Sequence, residues 1–204
     1  MADAVTVEFF YDIASPYSYL SAMRIDDFAA EHGAEVDWRP FLLGGVFKAT
    51  GNEMPASVDA KADWMPKDLA MFAEKDDIPF VFPDEFPIRT IAHLRALIEV
   101  KREDGADRAR ELAKAFYTAY WGEGRDISDP EVFAGVALEA GFEPERIVAA
   151  NDKPENKQKL IELTNEAVER GAFGAPTFFV GDTMFWGNDR LDLLGEYLDK
   201  HVNA

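Results

Sequence analysis

The hydrophobic period of this chain changes twice, and the order of those periods restricts the fold more than any single motif does. Val5 to Tyr11 (V-T-V-E-F-F-Y) is a dense β-branched and aromatic run, the composition of a strand. It leads through Ser15-Pro16 into a helical pattern from Tyr17 to His32, with Ser15 a suitable N-cap and Pro16 at the first helical position. Gly33 closes that helix, and Glu35 to Phe41 reads as a second strand whose Pro40 places its end near a sheet edge. Leu42 to Gly51 reads as a glycine-containing loop. From Ala60 to Gly171 the periodic stretches are helical: Pro66 to Lys75, Arg89 to Arg102, Gly105 to Tyr120, Pro130 to Ala140, Pro144 to Ala150 and Pro154 to Arg170. The period then returns to two. Thr177 to Val180 and Thr183 to Trp186 flank Gly181-Asp182, a type I′-compatible turn, and a last helix runs from Asp189 to His201.

A parallel α/β protein would keep alternating strands and helices to its end. The order β-α-β, helical block, β-β-α predicts instead an α/β sheet domain interrupted by an all-helical insert. Residues 1–42 and 172–204 are assigned to the sheet domain and 43–171 to the insert.

Composition removes whole classes of function. With 21 Lys and Arg against 39 Asp and Glu, the net charge of −18 repels nucleic acid and anionic lipid. The absence of cysteine excludes a disulfide framework, a thiolate metal site, a cysteine nucleophile and a protein-based redox couple. Any thiol chemistry must use an imported thiol. The stretch Met1 to Asp12 has no basic leader, and no window holds a membrane-length apolar run, so a cytoplasmic location is expected. His32, His93 and His201 fall in separate predicted helices, so no metal is expected. There is no phosphate-loop lysine motif, no dinucleotide glycine fingerprint and no G-x-S-x-G elbow.

Three segments could carry chemistry. Ser15-Pro16-Tyr17-Ser18 lies between a strand and a helix, where a hydroxyl can donate to a thiolate, or merely cap the helix. In Gly174-Ala175-Pro176-Thr177, a cis proline would present the preceding backbone to an extended peptide; an edge-strand proline is the plainer role. Trp186-Gly187-Asn188-Asp189-Arg190 opens the last helix, where Asn188 or Asp189 could cap it or receive a ligand's charged end.

The stretches F-F-Y-D-I-A-S-P-Y-S-Y-L (Phe9 to Leu20), P-F-L-L-G-G-V-F-K-A-T-G-N (Pro40 to Asn52), G-A-F-G-A-P-T-F-F-V (Gly171 to Val180) and F-W-G-N-D-R-L-D-L-L (Phe185 to Leu194) together resemble the 2-hydroxychromene-2-carboxylate isomerase family, kin of kappa-class glutathione transferases. The resemblance spans essentially the whole chain. It implies a thioredoxin-like fold of DsbA type with an inserted helical domain, and glutathione as cofactor. Ser15 would stand where a disulfide oxidoreductase has its first cysteine and donate a hydrogen bond to the glutathione thiolate. Pro176 would be the family's cis-proline, and Ala175 would pair its backbone with the tripeptide. Asn52 and Lys61 would contact glutathione, and Asn188 and Asp189 would hold its γ-glutamyl end.

The activity implied is interconversion of 2-hydroxychromene-2-carboxylate and trans-o-hydroxybenzylidenepyruvate, a step in naphthalene-type aromatic degradation. Two carboxylate-bearing ligands on so acidic a chain call for a pocket that is locally basic or rich in amide donors. Lys61, Arg89 and Arg190 are the candidate cations, and Tyr17, Phe47 and Trp186 the candidate aromatic lining, with Arg89 placed beside the substrate. The alternatives are a kappa-class-like glutathione transferase or peroxidase on another electrophile, and a non-catalytic thioredoxin-like binding module. Disulfide oxidoreductase activity is excluded, since Ser15 and Ser18 replace both thiols of a C-x-x-C. The partners expected are glutathione and a small aromatic carboxylate, with a homodimer left open.

Overall fold

A computed structural model describes residues 5–202; residues 1–4 and 203–204, the outer ends of the predicted sheet domain, lie outside the described residues. Strands β1 (Val5–Tyr11), β2 (Ala34–Pro40), β3 (Thr177–Val180) and β4 (Thr183–Trp186) form one mixed sheet in the order β2-β1-β3-β4. β1 pairs parallel with β2, and β3 antiparallel with both β1 and β4. Pro40 therefore ends an edge strand, where its missing N–H leaves no gap in a central ladder. Between β2 and β3 lie α3 (Leu43–Thr50), α4 (Asp59–Lys75), α5 (Ile91–Glu103), α6 (Ala106–Tyr117), α7 (Pro130–Glu139), α8 (Pro144–Ala149) and α9 (Pro154–Glu169). Helices α1 (Pro16–Ala22) and α2 (Ile25–Glu31) precede β2, and α10 (Leu191–Val202) ends the chain. This is the thioredoxin-like α/β architecture with a helical insertion.

The alternation of β1 builds two cores. Val7, Phe9 and Tyr11 join Trp38, Phe178, Leu97 of α5 and Phe116 and Tyr117 of α6 in the larger cluster; Phe10 turns to the other face with Phe41, Val46 of α3, Ala167 of α9 and Phe179. Each such aromatic withdrawn from water contributes about 2–3 kcal/mol. Phe9 stacks on Phe178 at 5.2 Å and meets Trp38 edge-on at 5.0 Å, so the sheet's inner face is largely aromatic at the end that carries Ser15.

Five expectations need correction. The segment Tyr17 to His32 is two helices, because the chain turns at Met23 and Arg24; the turn lets Arg24 pair with Asp76 at 2.5 Å and donate to the Asn188 carbonyl at 3.4 Å. Leu42 to Gly51, read as a loop, contains α3. Tertiary contact overrides the weak propensity of its glycine pair: Leu42 N–H donates to Thr164 Oγ1 at 3.0 Å, and a Cβ on Gly45 would lie 3.1 Å from Thr164 Cγ2, so that glycine lets α3 lie against α9. Helix α4 begins at Asp59 rather than at Pro66, which sits inside it and leaves the Ala62 carbonyl without its usual N–H partner. The Gly181-Asp182 turn has positive φ at Gly181 (+57°) and not at Asp182; type I′ needs both, so this turn is not I′. The last helix is also preceded by a 3₁₀ turn, Asn188–Arg190. No helix among the described residues is long and apolar enough to cross a membrane.

Candidate functional site

The end of β1, the start of α1 and the loop before β3 meet at Ser15. Its hydroxyl oxygen accepts from Ser18 N–H at 3.1 Å, the N-cap bond expected of it, and its O–H donates to the Ala175 carbonyl at 3.2 Å across the fold. The Ala175–Pro176 peptide bond is cis. Ala175 N–H donates to nothing among the described residues, while the Pro176 carbonyl accepts from Gly187 N–H at 3.0 Å, which draws the 186–190 turn alongside. Ser15 is 3% exposed, so its hydroxyl faces a small, specific opening rather than bulk water.

That opening is the bottom of a cavity of about 1200 Å³. Ser15, Tyr17, Phe47, Asn52, Lys61, Arg89, Ala175, Trp186, Asn188 and Asp189 all line it. Ten sequence-predicted site residues, drawn from segments up to 174 positions apart, thus share one cavity; Pro176 stands directly behind Ala175 and does not line it. Asn52 spends its side chain internally, its amide donating to the Phe173 carbonyl at 2.8 Å and its oxygen accepting from Glu53 N–H at 2.9 Å. It therefore ties the exit of α3 to the segment before β3. Asn188 is buried, and its Nδ2 has no hydrogen-bond partner among the described residues. Trp186 lies against Phe173 and over Gly174, where an added Cβ would come within 2.5 Å of the indole nitrogen. Gly174 is glycine because the ring needs that space.

Charge at the site departs from a simple basic pocket. Arg190 is bound to Asp189, whereas Lys61 and Arg89 have no acidic partner among the described residues. Against these three cations stand Asp12, Glu53, Asp68 and Asp189. The cavity is mixed in sign, and its anion-seeking groups include Lys61, Arg89, the Ala175 N–H and Asn188 Nδ2, none of which has an acceptor among the described residues.

Two functional features were missed by sequence reasoning. Asp12, 1% exposed, holds the floor together: its carboxylate accepts from Ala14 N–H (3.0 Å), Thr90 Oγ1–H (2.6 Å) and Leu43 N–H (2.8 Å), and its carbonyl accepts from Ser15 N–H and the Tyr117 hydroxyl. Burial pushes its pKa up, and the three donors offset part of that. One carboxylate thereby fixes the starts of α1, α3 and α5. The other missed feature is the face of α4 formed by Lys61, Trp64, Met65, Asp68 and Phe72, which roofs the cavity, with Phe86 and Ile88 alongside. Their helical spacing could have revealed that face, had the helix not been started at Pro66.

The matches to known proteins fit this geometry. The DSBA-like thioredoxin domain family matches residues 6–199. The 2-hydroxychromene-2-carboxylate isomerase of Sphingobium xenophagum is 34% identical over 197 residues, covering 95% of this chain and 97% of the relative. Human glutathione S-transferase kappa 1 is 30% identical, over 95% and 90% of the two chains. A solved structure of a 2-hydroxychromene-2-carboxylate isomerase superposes with a TM-score of 0.83 at 29% identity, over 96% of this chain and 95% of that one. The chain thus belongs to the DsbA-like thioredoxin-fold family, within its group of enzymes comprising 2-hydroxychromene-2-carboxylate isomerases and kappa-class glutathione transferases.

Proposed function

We propose that the protein is a glutathione-dependent isomerase that interconverts 2-hydroxychromene-2-carboxylate and trans-o-hydroxybenzylidenepyruvate. The observation that carries this reading is the Ser15 hydroxyl, buried at the bottom of the cavity beside the unpartnered Ala175 N–H. These groups fit glutathione: an extended tripeptide can pair with Ala175, and the Ser15 proton can turn from the Ala175 carbonyl to a sulfur. Ser18 N–H, donating to the same oxygen, makes Ser15 a better donor and so favours the ionised thiol. When bound, glutathione would supply a thiolate able to add reversibly to the conjugated keto acid, the chemistry that would let the former double bond rotate. Under this proposal Lys61 and Arg89 would receive carboxylates, Asn188 and Asp189 the γ-glutamyl end, and Phe47 and Trp186 would cover the ring; all six line the one cavity. On this reading Ser15 activates and is not the nucleophile.

The test follows chromene-2-carboxylate by absorbance with and without glutathione. Turnover that needs glutathione, leaves its concentration unchanged and falls about a hundredfold in Ser15→Ala is the expected result. Glutathione consumed in proportion to turnover would point instead to a transferase, and turnover indifferent to glutathione overturns the cofactor role.

A further inference from the structure

Ring opening leaves two proton transfers in need of an agent. The hydroxyl on the ring carbon that bears the carboxylate must lose its proton as that carbon becomes a ketone. The bond from this carbon to the ring oxygen breaks with its electron pair going to oxygen, which must gain a proton to become the phenol. Ser15 is engaged with Ser18 N–H and with Ala175 or the thiol, and no histidine lines the cavity. With Lys61 and Arg89 assigned to the ligands' carboxylates, the remaining candidates among the described lining residues are four carboxylates, Asp12, Glu53, Asp68 and Asp189.

Three of the four are otherwise occupied. Asp12 is saturated by Ala14, Leu43 and Thr90. Asp189 is bound to Arg190. Glu53 is exposed at the rim, where Ser57 donates to it at 3.2 Å. Asp68 differs from all of these. It is half-buried, has no cationic partner among the described residues, and receives the Tyr17 hydroxyl on Oδ2 at 2.8 Å, while Oδ1 accepts no hydrogen bond from any described residue. Its partner Tyr17 lies two positions after Ser15, so the pair bridges the thiol-activating floor and the α4 roof.

We propose that Asp68 is the proton-transfer group of this site, a catalytic residue, and that Tyr17 is its positioning residue; the assignment rests on the isomerase reading. Asp68 takes the proton from the ring-carbon hydroxyl through Oδ1 and returns it to the ring oxygen, so the carboxylate ends each cycle as it began. Tyr17 remains a donor throughout. Burial first, and then the Asp68 bond and the charges of Asp68 and Asp189, push its phenol well above the usual range. The other charged groups lining the same cavity are Asp12, Glu53, Asp189, Lys61, Arg89 and Arg190.

The experiment measures kcat, KM for chromene-2-carboxylate and calorimetric glutathione binding in wild type, Asp68→Asn, Asp68→Ala and Tyr17→Phe. Asp68→Asn should lower kcat by about a hundredfold, with glutathione affinity and KM changed less than about threefold, and the solvent isotope effect on kcat should rise. Added formate should restore part of the kcat of Asp68→Ala, which a merely structural role would not allow. Tyr17→Phe should cost about tenfold, the scale of one hydrogen bond. Wild-type turnover with Asp68→Asn retaining its kcat overturns the assignment. So does loss of kcat together with glutathione binding and without formate rescue, which would make Asp68 only a tether of α4. A wild-type protein that leaves the chromene acid unchanged overturns the isomerase reading, and this assignment with it.

Discussion

The floor and the roof of the cavity are held by different means. In the floor, Asp12, Ser15, Thr90 and Tyr117 are buried and interlocked by hydrogen bonds that join β1, α1, α3, α5 and α6. In the roof, α4 has a single side-chain hydrogen bond to the rest of the molecule among the described residues, Tyr17 to Asp68, and it exposes Trp64 and Met71. Local stability follows the density of buried contacts. The floor can fix an atom's position closely, while the roof can yield to the shape of what enters.

The largest effect expected of a break in the floor is that of Asp12→Ala. It strands three donors in the interior and should remove about 4 kcal/mol of stability in urea unfolding; a loss below about 1 kcal/mol would mean that the floor is no better braced than the roof. A second break uses acid. His93, one turn along α5 from Thr90, lies between Phe116 and Phe133 with Nε2–H donated to the Ile127 carbonyl. Burial lowers its pKa from 6.5 to about 4. Between those values the unfolded chain binds a proton at this histidine that the folded chain does not, so the contribution of His93 to stability should fall by roughly 3 kcal/mol as pH drops from 6.5 to about 4, read as the difference between wild type and His93→Gln, whose slope should be flatter.

Gly174→Ala tests the junction between the two halves. Its Cβ would displace the Trp186 ring at a cost of about 2 kcal/mol, and glutathione affinity measured by calorimetry should fall with it. The smallest stability effect belongs to the roof. Trp64→Ala should leave unfolding within about 0.5 kcal/mol yet raise KM for the chromene acid severalfold; the reverse pattern would remove the distinction between floor and roof.

Much of this was legible in the sequence. The strands, the Ser15 cap and the helix stops at Gly33, Gly141 and Gly171 follow from local chemistry, and all three glycines have positive φ. What local chemistry could not give was α3, whose Gly44-Gly45 pair reads as a loop until Thr164 and Asp12 supply partners from 122 and 31 residues away. Nor could it give the start of α4, since a proline usually opens a helix and Pro66 here interrupts one. Asp12 was passed over because its three donors come from separate segments. Asp68 was passed over because the turn of α4 that presents it was not read as one helix with Lys61.

The placement of the tryptophans has a use of its own. Of the four in the chain, Trp38 and Trp121 are buried with their indole N–H groups bonded to Asp26 and the Ile13 carbonyl, whereas Trp64 and Trp186 line the cavity and are 55% and 45% exposed. Their emission divides the same way: a collisional quencher should reach the cavity pair in the folded protein and the interior pair only after unfolding. Ligand occupancy and loss of fold can thus be followed separately in one unlabelled sample, from two spectral populations that the fold itself keeps apart.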